Sequence, residues 1–191
     1  MGKWVWTYFA TLTYSGLDGK YPLVVRFFAG QVLSMEAIAR TFKLIWHTKK
    51  GFEVQDMGDH RVLFVFIEDS DVDKVFAGEP WFFNKNLVAL KRVGSHTEVK
   101  SLVFDRACFW LQVHDLPLGS LKTRIAKEIV SATGEVVQSK ENSDEYKGNN
   151  FVRVRVSIDI TKPLSRGRKI GKSNGEESWA SFKYEQLPNL C

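Results

Sequence analysis

The stretch "FEVQDMGDHRVLFVFIED" (residues 52–69) decides how the first half of the chain is read. Two runs rich in β-branched and aromatic residues are parted by Gly58-Asp59, which is the pattern of a β-hairpin with a tight turn. Upstream, "PLVVRFF" (22–28) alternates as a strand, with Leu23, Val25 and Phe27 on one face and Val24, Arg26 and Phe28 on the other. Between strand and hairpin lies a helix: Ser34 supplies an N-cap, and Met35, Ile38, Phe42 and Ile45 recur at helical spacing. Gly51 ends the turn that follows. Downstream, "SDVDKVFAG" (70–78) reads as a short helix capped by Ser70, with Val72, Val75 and Phe76 as its buried stripe. "WFFNKNLVALKRV" (81–93) reads as one strand with a kink or bulge near Asn84-Lys85-Asn86.

The resulting order is β-α-β-β-α-β over residues 22–93. It makes the fold class α+β, with a ferredoxin-like N-terminal domain of the kind that RNA-recognition modules also use. The order alone does not fix function. Residues 1–21 form an atypical extension, for which an extra strand is a better reading than a signal peptide. "GSHTEVKS" (94–101) is polar and reads as a linker.

A smaller α+β segment is expected over 102–190. "ACFWLQVHDLP" (107–117) is a strand stopped by Pro117. "LGSLKTRIAKEIVSATG" (118–134) is a helix with Leu118, Leu121, Ile125 and Ile129 on one face and Gly134 at its C-cap. "EVVQSK" is a short strand, and "KENSDEYKGNN" (140–150) a charged loop. "FVRVRVSIDI" (151–160) alternates, with Val152, Val154, Val156, Ile158 and Ile160 inward and Phe151, Arg153, Arg155, Ser157 and Asp159 outward. "KPLSRGRKIGKSNG" is a basic loop with room for a short central strand, and "ESWASFKYEQL" is the last strand.

The chain has 191 residues, 44% of them hydrophobic and 13% aromatic, which is enough for a real core and argues against wholesale disorder. Two cysteines make no disulfide framework and fit a reducing compartment. No apolar run approaches the roughly 18 residues of a membrane span. The net charge of +5 is concentrated. Residues 151–175 hold Arg153, Arg155, Lys162, Arg166, Arg168, Lys169 and Lys172 against Asp159 alone. Such a patch suits a polyanion, and it also suits a solvated loop that happens to be basic.

Catalysis finds little support. Cys108 and His114 sit six positions apart on one strand, about 20 Å if extended, and His114 and Asp115 point to opposite faces. The histidines at 47, 60, 96 and 114 show no metal-ligand spacing. "GRKIGKS" lacks the first glycine of a phosphate loop. The chain is therefore read as non-enzymatic. Trp46, Trp81 and Trp110 read as core anchors. An RNA-recognition signature on "HRVLFVFI" (60–67) is partial: Phe64-Val65 matches, whereas Val62 stands where a stacking aromatic belongs and Arg61 where a glycine does. Phe64, with Arg26 beside it, is the surviving stacking candidate. The competing reading is that this face is covered by the second half or by a partner.

Three stretches, "EPWFFNKNLVALKR" (79–92), "FWLQVHDLPLGSL" (109–121) and "FKYEQLPNLC" (182–191), with "VRVRVSIDITKPLSRGRKI" between the last two, carry a family resemblance. Together they resemble the plant domain-of-unknown-function family 4283, which occurs in proteins like the first open reading frame of LINE-type retrotransposons. The resemblance covers about residues 22–191. In that family the segment like "YEQLPNLC" runs into a zinc knuckle, C-x2-C-x4-H-x4-C, of which Cys191 would be the first ligand. The resemblance thus implies that the sequence stops inside a metal site. One thiolate cannot hold zinc, so no cofactor is expected in this chain and zinc only in a full-length relative.

The resemblance implies nucleic-acid binding. Independent support comes from the basic segment: Phe151, Arg153 and Arg155 share a strand face, with Lys162, Arg166, Arg168, Lys169 and Lys172 in the loop beyond. The expected function is a non-catalytic module for single-stranded RNA or DNA with low sequence specificity. The alternative is a protein-interaction or self-assembly module, hence a homo-oligomer. No membrane partner is expected, and the expected location is intracellular, with the nucleus open to a chain of this size.

Overall fold

The computed structural model describes residues 19–94, 97–137, 150–171 and 175–187. The first unit comprises β1 (Tyr21–Phe27), α1 (Met35–Trp46), β2 (Phe52–Asp56), β3 (Arg61–Phe66), α2 (Asp69–Ala77), β4 (Trp81–Phe83) and β5 (Asn86–Arg92). Its strands form one antiparallel sheet in the order β2-β3-β1-β5-β4. The 52–69 hairpin is present, and the Arg61 N–H closes its turn on the Gly58 carbonyl at 2.9 Å. Ser34 caps α1, its hydroxyl accepting from the Ala37 N–H at 3.2 Å.

Two expectations for this unit change. The 81–93 segment is a hairpin rather than one kinked strand. Asn84 and Lys85 both have positive φ, 49° and 66°, as the two-residue turn between β4 and β5 requires. Ser70 does not cap α2. The helix starts two residues earlier than that cap would set, at Asp69, with Glu68 in the cap position and no side-chain cap bond. Asp69 and Asp71 place negative charge on the first turn instead. Asp71 is fully buried, and its carboxylate accepts the Lys49 N–H at 2.9 Å, which ties the loop after α1 to α2.

Both helices cover one face of this sheet. Leu23, Val25, Phe27, Val62, Phe64, Phe66, Val88 and Leu90 meet Ile38, Phe42 and Trp46 of α1 and Val72 and Val75 of α2. Aromatic edges and faces interlock here, with Phe42 and Phe64 rings 5.8 Å apart at 79° and Trp46 and Phe64 4.8 Å apart.

The second unit comprises β6 (Arg106–His114), α3 (Thr123–Val130), β7 (Gly134–Val136), β8 (Phe151–Asp159), β9 (Gly167–Gly171) and β10 (Glu177–Tyr184). Its sheet has the order β7-β8-β6-β10-β9. Matched strand for strand, this is the order of the first sheet, with β6 in the place of β1 and β8 in the place of β3. The segment between β8 and β9 stands where α2 stands in the first unit. The expected 118–134 helix is shorter than its apolar spacing suggested. Residues 118–120 form a 3-10 turn, Leu118 is exposed, and Gly134 opens β7 instead of capping a helix. A methyl on Gly134 would lie 2.4 Å from the Ser157 carbonyl oxygen, so the close approach of β7 to β8 needs glycine. The inward alternation of β8 holds: Val154, Val156 and Ile158 are buried against Ala126, Ile129 and Val130 of α3.

Candidate nucleic-acid interface

Each sheet has one face on its helices and one face turned away, and the two outer faces differ. On the first sheet, Val24, Leu63 and Val65 are buried beneath Val99, with Leu102 and Phe104 at the margin. Lys91 donates to the Val103 carbonyl at 3.0 Å over the same segment. Part of the expected polar linker is therefore the wall of the first unit. Phe82 and Leu87, further along, pack against the second core. Phe64 is corrected as a stacking residue: it lies on the helix side, fully buried. The alternation of β3 puts Leu63 and Val65, not Phe64, on the outer face. Arg26 stays half-buried, its guanidinium 5.7 Å from the Phe28 ring, with no stacking partner from β3.

On the second sheet the outer face carries Cys108, Trp110, Gln112 and His114 from β6 opposite Ser157, Arg155, Arg153 and Phe151 from β8. Arg153 lies 3.9 Å above the Trp110 ring and forms two hydrogen bonds to Glu185, at 2.9 and 2.7 Å. Gln112 donates to the same carboxylate at 2.9 Å and accepts from His114 Nε2 at 3.0 Å. That pairing places a proton on His114 Nε2. Burial, and then the nearby Lys183 charge, hold its pKa below the ordinary histidine value. Its ring lies 4.9 Å from that of Phe151, tilted by 32°, and Phe151 is half-buried.

Arg155 is also corrected. Although it follows the outward parity, only 4% of it is exposed, and its guanidinium donates to the backbone carbonyls of Glu79 at 3.0 Å and Phe76 at 2.8 Å. It joins the two units and offers no free face to a phosphate. The loop cations do not converge either. Lys162 pairs with Asp159 at 3.0 Å, Lys169 with Glu177 at 2.9 Å, and Arg168 turns to the α3 side toward the Ile129 carbonyl. The Thr161 hydroxyl and then Lys162 hold the Asp159 carboxyl down at about 2. Arg166 is exposed. Lys172 and Cys191 lie outside the described residues. Sequence reasoning passed over Trp179, Lys183 and Glu185 on β10 and beyond, and read Trp110 only as a core anchor. The period-2 alternation of "FWLQVH" and "FKYE" carries that signal.

Against the Cys108 and Arg155 end of this outer face lies a buried acid. Glu79 is 5% exposed, and burial raises its carboxyl to about 7 in spite of the Arg155 charge beside it. Burial and then Glu79 push the Cys108 thiol up to about 11, so the thiolate needed for nucleophilic chemistry is scarce near neutral pH. Below pH 4.5 Glu79 is protonated in folded and unfolded chains alike, and its contribution to stability is fully present. As the pH rises through about 7 the unfolded chain releases this proton first, and stability is lost, by about 3 kcal/mol in total. Urea titrations at pH 5 and pH 8 measure this, and Glu79→Gln should flatten the difference.

Among the described residues no group of three or more His, Cys, Asp or Glu could hold a metal ion. No helix among them is long and apolar enough to cross a membrane.

Comparison with known proteins adds three findings. Residues 18–99 match a family described as "Domain of unknown function (DUF4283)". Residues 158–191 match a zinc-knuckle family. These last residues contain one cysteine and no histidine, so they do not by themselves supply a tetrahedral donor set. The uncharacterized protein At4g02000 of Arabidopsis thaliana is 26% identical over 121 residues, which cover 63% of this chain and 38% of that protein's length. The chain thus spans well under half of the curated relative it matches. The first match lies on the first unit and the second runs from the end of β8 through β10, so the chain is similar to DUF4283 proteins over residues 18–99 and to zinc-knuckle proteins over residues 158–191.

Proposed function

We propose that this chain is a non-catalytic nucleic-acid-binding module of a plant retrotransposon-type protein, taking single-stranded RNA or DNA with little sequence choice. The observation that carries the reading is the zinc-knuckle match over 158–191, because knuckles are a common module for unpaired nucleic acid. The strand order β2-β3-β1-β5 with both helices on one face supports an RNA-recognition-like first unit. Arg166, Lys169 and Lys183 are exposed and available to phosphates once Lys169 exchanges its Glu177 partner. A self-assembly reading draws on Leu44, Leu118 and Trp179, which are large, apolar and exposed.

Anisotropy of a labelled 20-nucleotide single-stranded RNA tests the choice. Nucleic-acid binding predicts an affinity falling with salt, at a log–log slope of about −2 to −3 for three or four phosphates neutralised. Self-assembly predicts no RNA signal at low salt and a molecular size that grows with protein concentration.

A further inference from the structure

Resting on the nucleic-acid reading above, we infer that the outer face of the second sheet is the platform on which unpaired bases stack, in a row running from Phe151 to Trp179. One cross-strand row contains Phe151 on β8, His114 on β6, Ser181 on β10 and Gly167 on β9. Phe151 and His114 form one ring pair at its first end. At the other end the Trp179 indole lies directly on Gly167: a methyl there would sit 2.5 Å from the indole Nε1. Half of Trp179 is exposed, although a large apolar ring gains most from burial. Between the ring pair and the indole stands the small side chain of Ser181. From β8 to β9 the row crosses about 14 Å of sheet, the width on which two or three stacked bases are read in sheet-based RNA modules.

Two further observations select the occupant. First, the Phe151–His114 end of the row lies on β8 and β6, which hold the same place in the second sheet as β3 and β1 hold in the first. The equivalent face of the first unit is closed by Val99, and this one presents half-exposed rings. Second, cations flank the rings: Lys183 is paired across strands with Gln112, Lys169 with Trp179, and Arg153 shares the face. Flat rings between cations match a polyanion whose bases are flat and apolar on their faces. Glu185 holds Arg153 over the Trp110 ring, 3.9 Å from its centre, which keeps one more cation in the sheet face.

The test compares the full chain with Trp179→Ala, Phe151→Leu and the double variant, by anisotropy on 20-nucleotide single-stranded RNA and DNA, with thermal melts as a fold control. Each single change should weaken binding by about 5- to 100-fold, with the salt slope unchanged, because stacking rather than charge is removed. Lys183→Ala should instead make the slope shallower by about 0.7. Trp179→Phe should restore most of the loss. If the double variant binds as the unaltered chain does, the platform is wrong while the nucleic-acid reading stands. If the unaltered chain binds no RNA or DNA at low salt, both fall. If Trp179→Ala instead abolishes a concentration-dependent dimer, the face belongs to a second copy, and the inference is overturned.

Discussion

Arg155→Met should lower the stability of the protein by about 2–5 kcal/mol while leaving the RNA affinity of the folded fraction within about twofold. The side chain bridges two backbone carbonyls, of Phe76 and Glu79, across the junction of the units. Removing it strands both acceptors in a buried place, at roughly 1–3 kcal/mol each. It also takes away the positive charge that restrains the Glu79 carboxyl, whose pKa should rise further. Methionine keeps much of the volume and none of the donors. Urea midpoints for this variant, for Arg155→Lys as a milder change and for Arg153→Ala set the scale. Arg153 is exposed, and its Glu185 pair is worth about 1 kcal/mol or less. Unchanged stability with lost RNA binding in Arg155→Met would return Arg155 to the surface role that its strand parity suggested.

Phe64→Ala should cost about 3–5 kcal/mol, the range for emptying a large aromatic site in a packed core. The ring meets Phe42, Trp46 and Phe52 at centroid distances of 5.8, 4.8 and 5.2 Å. Neighbours on β3 and α1 are themselves fully buried and have little freedom to close the gap. Phe64→Leu should lose less, because it keeps most of the volume. At temperatures where both variants are folded, neither should change RNA affinity. A loss of binding without a loss of stability would show the ring to be accessible and would overturn its assignment to the core.

These two residues mark where sequence reading stops. Period-2 patterns placed Val154, Val156 and Ile158 inward correctly, but the hairpin turn is centred on Asp59-His60, both at positive φ and closed from Arg61 to Gly58, one residue past the Gly58-Asp59 pair expected from sequence. Parity within one strand, however, does not say what lies against its outward face. Arg155 points outward from its own sheet and still meets another unit, so its outward parity suggested exposure. Phe64 matched a short signature, but Val62, Phe64 and Phe66 share one parity, and that parity faces α1. The rule that decided the face was the packing of α1, a long-range fact. The polar segment "GSHTEVKS" shows the same limit: its single Val99 is 7% exposed and seals a sheet, a contact that composition does not reveal. The basic segment was legible as charge, but its division between two faces follows from the register of β9 on β10, which places Lys169 opposite Trp179 and Arg168 opposite Ala180. The Asn84-Lys85 turn shows the limit of turn chemistry: lysine rarely takes positive φ, so the second hairpin carried only half of the usual signal.

The shared strand order of the two units has a consequence for how the chain is made. Neighbouring segments with one pairing plan invite crossed pairing, in which a strand of one unit takes its counterpart's place, a familiar failure of repeated architectures. Here the danger is reduced by timing. Translation delivers β1 through β5 and then the Val99 segment, so the first sheet can be complete and shut on its outer face before β6 leaves the ribosome. Once residue 104 has cleared the ribosome, every strand of the first sheet is available to pair before the later strands emerge.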